Sequence, residues 1–343
     1  MDTGSTQTRS GVAEPVPALS RAVLEVRDLA VEFRAGRTVI PAVDGISFKL
    51  GRGETLGLVG ESGCGKTMTA LALMGLLPIP PMRVARGVAL LDGRDLLSMD
   101  ERELETMRGG RIAMVFQEPM TSLNPVLSVG TQIEEPLRWH LGLGRREAQT
   151  RAVHLLERVG IPEPARIAQD YPHRLSGGMR QRVVIAMAIA CRPDVLIADE
   201  PTTALDVTIQ AQILDLLRDL QDEIGMAILF ITHDLAVIAE TADRVAVMYA
   251  GRVVETAPAA TLFAAPRHPY TRGLLDSIPR ITRERATRLR EVPGSAADRR
   301  RLGAGCAFAA RCPEVMPRCR NEAPPLTEAA PEEAFACWAR MHG

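Results

Sequence analysis

The sequence predicts an α/β fold in which a buried parallel sheet is accompanied by a small antiparallel sheet, a helical insertion and a C-terminal extension. Three short apolar runs, at residues 56–59, 195–198 and 226–231, each end in polar or glycine-rich residues. Such runs are typical of parallel strands buried on both faces. Aromatic residues make up only 3% of the 343-residue chain. Its core must therefore be built from aliphatic side chains and methionine, which suits a sheet of this kind.

The N-terminal part of the chain predicts the antiparallel sheet. Residues 23–50 have a strand-like pattern in which Ile46, Phe48 and Leu50 alternate with polar residues, and glycine-containing turns interrupt the strands. The helical insertion is clearest where five apolar side chains share one helical face: Ala148, Ala152, Leu155, Leu156 and Val159.

These patterns divide the chain into segments. We expect a disordered tail at residues 1–21, a main domain at 22–260 that contains a helical subdomain at about 118–188, and a C-terminal extension at 261–343. Strands are expected to end after about Val254, because proline and arginine become frequent there.

Composition excludes several classes of function. The chain has 41 Lys and Arg residues against 42 Asp and Glu residues, a formal net charge of −1, so no global basic field attracts nucleic acid. The Arg-rich stretch at 280–301 lacks interleaved aromatic residues and is expected to be a solvated linker. No apolar run reaches the length of a membrane helix, and the opening segment lacks the apolar region of a signal peptide. We expect a cytoplasmic protein without nucleic-acid partners.

A phosphate-binding loop follows the first apolar run and precedes a helical pattern at residues 68–77, which opens with Met68. It fits the pattern G-x-x-x-x-G-K-[ST] with the residues Gly60, Glu61, Ser62, Gly63, Cys64, Gly65, Lys66 and Thr67. Backbone N–H groups of such a loop and the dipole of the following helix favour bound phosphate. Lys66 would reach the β- and γ-phosphates, and Thr67 would hold Mg²⁺. This context predicts a P-loop NTPase with a RecA-like parallel sheet core rather than a plain glycine-rich turn.

Two adjacent carboxylates, Asp199 and Glu200, follow the second apolar run. Successive side chains of a strand point in opposite directions, so the pair can divide two tasks. Asp199 would orient Mg²⁺, and Glu200 would polarise the water that attacks the γ-phosphate. The third run ends at Thr232 and His233, which predicts an imidazole at the same edge of the sheet. A structural pair of carboxylates and a solvated histidine are the alternatives.

The segment Leu175–Gln181, with the sequence LSGGMRQ, resembles the signature motif of ATP-binding cassette (ABC) ATPases. The resemblance covers about residues 23–254, although Met179 stands where many members of the family carry Gln. The other motifs follow in the family's order: the phosphate loop, Gln117, the signature, Asp199 with Glu200, Asp206 and His233.

The resemblance implies a dimer that sandwiches two ATP molecules. Each ATP would be bound by the phosphate loop of one subunit and by the signature of the other, through Ser176, Gly177 and Gly178. Gln117 would contact the metal or water and couple the nucleotide state to a membrane partner. Phe33 would stack on adenine, with packing in the core as the alternative, and Asp206 would signal across the dimer.

Two further segments resemble the branch of the family that imports peptides and nickel: MVFQEPMTSLNP at 114–125 and HPYT at 268–271. Residues 69–78 resemble the first of that branch's two ATPase subunits. The resemblance implies a peripheral ATPase on the cytoplasmic face of the bacterial plasma membrane. It would form a heterodimer with a second ABC ATPase and work with two transmembrane permease subunits and an extracytoplasmic substrate-binding protein. The cargo would be oligopeptides, dipeptides or nickel.

Two other functions are alternatives to the importer. One is a soluble ABC-type ATPase of DNA repair or translation, although such proteins usually carry tandem cassettes, zinc modules or coiled-coil insertions. The other is a metal-sensing regulator with a degenerate ATPase, which is disfavoured by the presence of Lys66, Glu200 and His233.

Four cysteines near the C-terminus form a candidate metal site: Cys306, Cys312, Cys319 and Cys337. Disulfides are rare in the cytoplasm, and four thiolates suit zinc, but the cysteines are not paired as in common zinc ribbons. Their spacing does not decide which metal they bind, or whether they bind a metal at all. Their arrangement resembles a C-terminal motif of the same importer branch, which implies a four-iron four-sulfur (4Fe-4S) cluster with zinc as the alternative.

Overall fold

The computed structural model describes residues 22–118, 122–203, 205–278 and 303–341. The predicted disordered tail and the Arg-rich stretch at 280–301 lie outside the described residues. The strands are β1 (Ala22–Ala35), β2 (Thr38–Gly51), β3 (Thr55–Val59), β4 (Met82–Leu91), β5 (Arg94–Asp95), β6 (Ile112–Val115), β7 (Val195–Asp199), β8 (Ala227–Thr232), β9 (Arg244–Tyr249), β10 (Arg252–Pro258), β11 (Thr327–Ala330) and β12 (Glu333–Phe335). The helices are α1 (Lys66–Leu73), α2 (Glu101–Met107), α3 (Val129–Leu141), α4 (Arg145–Arg158), α5 (Pro164–Ile167), α6 (Gly177–Ile189), α7 (Val207–Ile224), α8 (Leu235–Thr241), α9 (Ala259–Ala264), α10 (Pro269–Asp276) and α11 (Pro317–Asn321).

Two sheets form the framework of the fold. The larger has the strand order β11-β12-β10-β9-β3-β8-β7-β6, and its strands from β9 to β6 are parallel. The smaller sheet has the order β2-β1-β4-β5 and is antiparallel. The three apolar runs of the sequence are β3, β7 and β8, and every residue of these strands is buried. The predicted parallel and antiparallel sheets are therefore both confirmed.

The register of the parallel strands brings their carboxyl ends to one level. Leu58 of β3 and Asp199 of β7 both pair with Ile231 of β8. The loops that follow these three strands consequently open at the same edge of the sheet, where ligands of open α/β folds bind.

The first helix is shorter than its pattern predicts. Helix α1 ends at Leu73, not at residue 77, because the chain reverses at Gly75 with a positive φ of 62°. The amide of Gly75 instead donates to the carbonyl of Ala72 at 3.1 Å. Glycine tolerates this left-handed conformation without steric cost, which makes it a common end for a helix.

Helices dominate the segment between β6 and β7, as predicted. The apolar face of α4 buries Ala148, Ala152, Leu155 and Leu156 in the larger hydrophobic core. Gly160 follows with a positive φ of 73° and ends the helix. None of the helices within the described ranges is long and apolar enough to cross a membrane.

The expectation that strands end after about Val254 is wrong. Strand β10 continues to Pro258, and the C-terminal strands β11 and β12 extend the larger sheet, with Phe335 of β12 opposite Glu255 of β10. These two strands are short, and most of their residues are exposed or half-buried. They therefore lack the apolar alternation that marks a strand in a sequence.

Residues after 260 also pack into the main core. Tyr270 and Phe308 are buried against Tyr249 of β9, with ring centroids 4.7 and 5.2 Å from the Tyr249 ring. The C-terminal extension is thus attached to the cassette both by a shared sheet and by an aromatic cluster, Tyr249, Tyr270 and Phe308.

Candidate functional site

The phosphate loop, residues 60–67, joins β3 to α1 at the carboxyl edge of the sheet. Gly60 has a φ of 153°, and a Cβ atom there would lie 2.2 Å from the carbonyl oxygen of Met248. Only glycine fits so close to the backbone of β9. Gly65 caps α1 with a φ of 113°, which turns the chain from the loop into the helix. Ser62 and Gly63 form the exposed tip of the loop, whereas Cys64 is buried beneath it.

Lys66 is the cation of this loop, and its side chain lies across the loop's own backbone. The residue is only 5% exposed, and its Nζ donates to the carbonyls of Gly60 at 2.7 Å and Glu61 at 3.2 Å. Because Lys66 also opens α1, its ammonium and the positive end of the helix dipole act in the same place. This concentration of positive charge favours a polyphosphate. Met68, the third residue of the helix, packs against the hydrophobic core that the two sheets share.

Thr67 and Asp199 meet between α1 and β7. The Thr67 hydroxyl donates to Asp199 Oδ1 at 3.4 Å, and Asp199 is only 1% exposed. Burial raises the pKa of Asp199 to about 6, and the neighbouring Glu200 charge acts in the same direction. Mg²⁺ in nucleotide sites is typically held by one or two carboxylates together with substrate phosphates. A hydroxyl and a buried carboxylate beside a phosphate loop fit that requirement.

The loops after three strands, β6, β7 and β8, meet at Glu200. Its Oε2 accepts hydrogen bonds from Gln117 Nε2 and from the Thr203 hydroxyl, both at 2.9 Å, and its Oε1 lies 3.0 Å from His233 Nδ1. Burial alone would raise the pKa of Glu200, but the hydrogen bonds from His233 and Thr203 outweigh it, and the pKa is lowered. The carboxylate is therefore ionised at neutral pH and held in place on both oxygens.

The backbone of Glu200 explains how the adjacent carboxylates separate. Strand β7 ends at Asp199, and Glu200 follows with a φ of 47°, a conformation that non-glycine residues rarely adopt. Its amide donates to the carbonyl of Ile231 in β8 at 2.8 Å. Strain of this kind persists where the surrounding structure fixes it, and it is concentrated at functional sites. The predicted separation of the two side chains is present, through this turn rather than through strand alternation alone.

The structure thus brings Gln117, Thr67, Asp199, Glu200 and His233 together around the phosphate loop. Thr203 is a further residue of this site that the motifs do not indicate. It follows Glu200 in a tight turn, in which the Thr203 amide donates to the Glu200 carbonyl at 3.2 Å. A hydroxyl three residues after the acid pair is the signal that would have found it.

The signature residues lie at a separate place, at the start of α6. Ser176 caps this helix by accepting a hydrogen bond from the Met179 amide at 3.3 Å, and Ser176 and Gly177 are exposed. Gly178 follows and packs beside Ile209, whose Cγ2 would lie 2.9 Å from an added Cβ. Asp206 caps α7 through the Ile209 amide at 2.9 Å. Both helix starts therefore present polar groups to the outside of the chain.

Phe33 of β1 is the residue predicted to stack on adenine. Its side chain is 37% exposed, so packing in the core does not account for it. Backbone pairing places Phe33 between Ile40 of β2 and Met82 of β4 in the small antiparallel sheet.

The four C-terminal cysteines are free thiols in one part of the extension. The amide of Cys306 donates to the carbonyl of Cys319 at 2.7 Å. Burial raises the pKa of Cys306, of Cys337 and of Cys312, the last to about 11, and neighbouring thiols add to the effect. Within the described residues, no three His, Cys, Asp or Glu side chains are grouped closely enough to hold a metal ion. The thiols are neighbours, but as placed they do not form a metal centre.

Comparison with known families and proteins agrees with this geometry. Residues 43–203 match the ABC transporter family, and residues 254–319 match the family described as the C-terminal region of oligopeptide/dipeptide transporters. The chain is 52% identical over 316 residues to a probable peptide ABC transporter ATP-binding protein of Sinorhizobium fredii, covering 92% of this chain and 94% of that protein. This chain belongs to the ABC transporter family. The family predicted from the motifs is confirmed.

Two further relatives place this ABC protein beside peptide transport proteins. It is 50% identical to an oligopeptide transport ATP-binding protein of Bacillus subtilis, over 92% of this chain and 88% of that protein. It is 49% identical to the oligopeptide transport ATP-binding protein of Salmonella typhimurium, over 96% of this chain and 97% of that protein. These names favour the importer prediction over a soluble ATPase of DNA repair or translation.

Solved ABC structures confirm the fold class. A dimeric ATP-binding cassette bound to ADP and Pi superposes with a TM-score of 0.62 at 28% identity, covering 69% of this chain and 98% of that one. A cassette from Clostridium perfringens, part of an ABC transporter complex, superposes with a TM-score of 0.60 at 29% identity, covering 71% of this chain and 91% of that one.

Proposed function

We propose that this chain is the ATP-hydrolysing subunit that energises import of oligopeptides or dipeptides, with nickel as a further candidate cargo, through a separate membrane permease. The observation that carries the proposal is the placement of Glu200, whose ionised carboxylate is held by Gln117, Thr203 and His233 beside the phosphate loop. The similarity to peptide transport proteins along almost the whole chain supports the cargo class.

The chemistry follows from the residues around the loop. Lys66 and the loop amides would bind the β- and γ-phosphates, and Thr67 and Asp199 would hold Mg²⁺. When bound, Mg²⁺ supplies positive charge that offsets the charge developing on the phosphate oxygens. Glu200 would accept the proton of the attacking water, because its carboxylate is ionised at neutral pH and can take up a proton.

Three neighbours orient this base in the proposed mechanism. Gln117, Thr203 and His233 fix both carboxylate oxygens, so that the lone pair that receives the proton has a defined direction. Preorganised groups of this kind contribute to catalysis because they need no rearrangement when charge develops.

The proposed partner of the catalytic half-site is a second ABC ATPase. Ser176, Gly177 and Asp206 are exposed at the starts of α6 and α7, and Gly178 beside them is half-buried. This placement supports a dimer in which one subunit's signature completes the other's phosphate site. We further propose that the partner is a different ATPase chain.

Phe33 would stack on adenine, and its 37% exposure is compatible with that role.

The proposed membrane partners are two permease subunits. An extracytoplasmic substrate-binding protein would deliver the cargo to them. The chain would then lie at the cytoplasmic face of the bacterial inner membrane as a peripheral subunit. Support comes from exposed apolar side chains after Gln117, with Val126 75% and Trp139 69% exposed. Large apolar side chains in such positions are typical of protein interfaces.

We also propose that the four C-terminal cysteines bind a 4Fe-4S cluster, with zinc as the alternative. Four free thiols in one segment support metal binding, although their present arrangement does not group three ligands. Iron, acid-labile sulfide and zinc analysis of the anaerobically purified chain distinguishes the alternatives. Protein that contains none of the three after anaerobic purification would contradict the proposal.

The test of the importer function uses the Glu200→Gln variant, which is expected to bind ATP and hydrolyse it slowly. The variant is affinity-purified from detergent-solubilised host membranes with ATP and Mg²⁺, and every co-purifying chain is identified. Recovery of two polytopic proteins and a second ATPase is the expected result. Recovery of only non-membrane or nucleic-acid partners would refute it. A Lys66→Ala variant is the matched control. It should bind ATP poorly, so it should not hold partners whose retention depends on bound ATP.

A further inference from the structure

The C-terminal extension makes direct contact with the phosphate loop at Glu61, the second residue of the loop. Two nitrogens of Arg311 bind both carboxylate oxygens of Glu61, at 2.8 and 2.9 Å. The backbone amide of Glu61 donates to the hydroxyl of Tyr270 at 2.9 Å. Paired bonds between a guanidinium and a carboxylate are strong and directional. One loop residue is therefore held at its side chain and at its backbone by the extension.

Arg311 also lies beside two aromatic rings. The Arg311 side chain is 9% exposed. Its guanidinium lies 5.8 Å from the ring centroid of Tyr249 and 6.0 Å from that of Phe308. The ion pair with Glu61 raises the pKa of Arg311 further, so the side chain stays charged. Tyr249 belongs to the cassette and Phe308 to the extension. The guanidinium thus sits between the two parts of the chain.

The contact continues from Glu61 to Lys66. The carbonyl oxygens of Gly60 and Glu61 accept hydrogen bonds from Lys66 Nζ. A shift of the Glu61 backbone would move both an acceptor of the lysine and the peptide planes that define the phosphate cradle. Hydrogen bonds weaken steeply as their geometry departs from ideal, so such a shift would weaken the bonds that the loop makes to phosphate.

We propose that Arg311 and Tyr270 position the phosphate loop through Glu61, so that ATP binding by this chain depends on its C-terminal extension. This inference rests on the ATP-binding role proposed above for the loop. Neither residue touches the reacting groups, so both are positioning residues. Arg311 directly precedes Cys312, and the amide of Cys306 is tied to Cys319. The segment that carries Arg311 is consequently anchored among the C-terminal cysteines.

The test measures the dissociation constant of a fluorescent ATP analogue with Mg²⁺ for the full-length chain. Arg311→Ala and Glu61→Gln are each expected to weaken binding about tenfold, the effect typical of losing one charge-assisted pair. The double variant should bind ATP as well as the single variant with the lower affinity, because both changes remove the same ion pair. Tyr270→Phe removes only the hydroxyl acceptor and should weaken binding about threefold.

A purely structural role for the contact predicts different results. It would lower the thermal midpoint without a change in affinity of the folded protein, whereas positioning raises the KM for ATP more than it lowers kcat. Arg311→Lys keeps the charge but not the paired geometry, and should restore part of the affinity. Glu61→Gln keeps the size of a half-exposed side chain, so it supplies a folded variant if Arg311→Ala does not fold.

Two controls separate the possible failures. Arg318→Ala changes another arginine of the extension, one that pairs with Glu322 and stacks on Trp338 at 3.4 Å, and should leave ATP affinity unchanged. Lys66→Ala tests the loop itself. If Lys66→Ala weakens binding but Arg311→Ala and Glu61→Gln do not, the positioning inference is overturned. If Lys66→Ala also binds normally, the proposed ATP site is wrong.

Discussion

Replacing Asp199 with Asn is expected to stabilise the protein while it removes the proposed Mg²⁺ ligand. Asp199 is almost fully buried, and its pKa is raised from 3.8 to about 6, chiefly by burial. At 1.36 kcal/mol per pKa unit, this difference corresponds to about 3 kcal/mol as an upper limit. The cost exists because the folded protein must hold a desolvated carboxylate, whereas the unfolded chain exposes it to water.

The sign of the pH dependence follows from proton binding. Between about pH 4 and pH 6 the folded state retains a proton on Asp199 that the unfolded state has released, so the free energy of unfolding falls as pH rises. Above about pH 6 both states are ionised and this contribution is constant. Asn is neutral at every pH. The variant should therefore be more stable than the original chain at pH 8, by up to about 3 kcal/mol, and equal to it near pH 4.

The assay is chemical denaturation in buffer without divalent cations or nucleotide, at pH 4 and pH 8. Asp194→Asn is the matched control, because Asp194 directly precedes the same strand, at the end opposite Asp199. Burial by itself would raise the pKa of Asp194, but hydrogen bonds from Arg111 and Arg52 outweigh this effect, and the pKa is lowered. Its loss should destabilise the protein at pH 8, by on the order of 1 kcal/mol. Equal stability of Asp199→Asn and the original chain at pH 8, or a loss in the variant, would refute the reasoning.

Three further predictions concern the phosphate loop and its base. Glu200→Gln should slow ATP hydrolysis at least ~100-fold with ATP affinity retained, since general bases contribute at least that much; a normal rate would remove Glu200 from the proposed role. Lys66→Ala should weaken ATP binding at least ~100-fold, as measured by equilibrium titration, and unchanged affinity would contradict its assignment. Gly60→Ala should lower the free energy of unfolding by at least about 3 kcal/mol, because its Cβ would meet the Met248 carbonyl at 2.2 Å. Gly63→Ala, which has a positive φ of 76° but open space, should cost about 1–2 kcal/mol; equal costs for the two glycines would show that the contact is not the cause.

The sheet could be predicted from sequence because its signals are local. Buried parallel strands are continuous apolar runs, and the ends of β3, β7 and β8 lead directly into the phosphate loop, the acid pair and His233. The edge strands β11 and β12 could not be predicted, because short and exposed strands carry no such run. Their place in the fold depends on pairing with β10, which is a property of the tertiary structure.

The residues of the candidate site likewise fall into those that a local motif identifies and those that only the fold brings together. Lys66, Thr67, Asp199 and Glu200 belong to motifs whose spacing is short, so the sequence alone identifies them as candidates. Arg311 lies 250 residues from Glu61 along the chain, and no local pattern relates the two residues. An ion pair between segments that are distant along the chain becomes visible only when the fold brings them together. The HPYT segment at 268–271 likewise carries no local pattern that relates Tyr270 to the loop, although its hydroxyl accepts a hydrogen bond from the Glu61 amide.

The two sides of the candidate ATP site are therefore fixed by different parts of the chain. The proposed base is fixed by the sheet, because the Glu200 amide is bonded to Ile231 of β8 and the same strand leads to His233 two residues later. The phosphate loop is fixed at Glu61 by the C-terminal extension. Changes in the extension should consequently alter ATP binding before they alter the geometry of the base. In kinetic terms, variants of Arg311 should change KM more than kcat, whereas variants of His233 should change kcat more than KM.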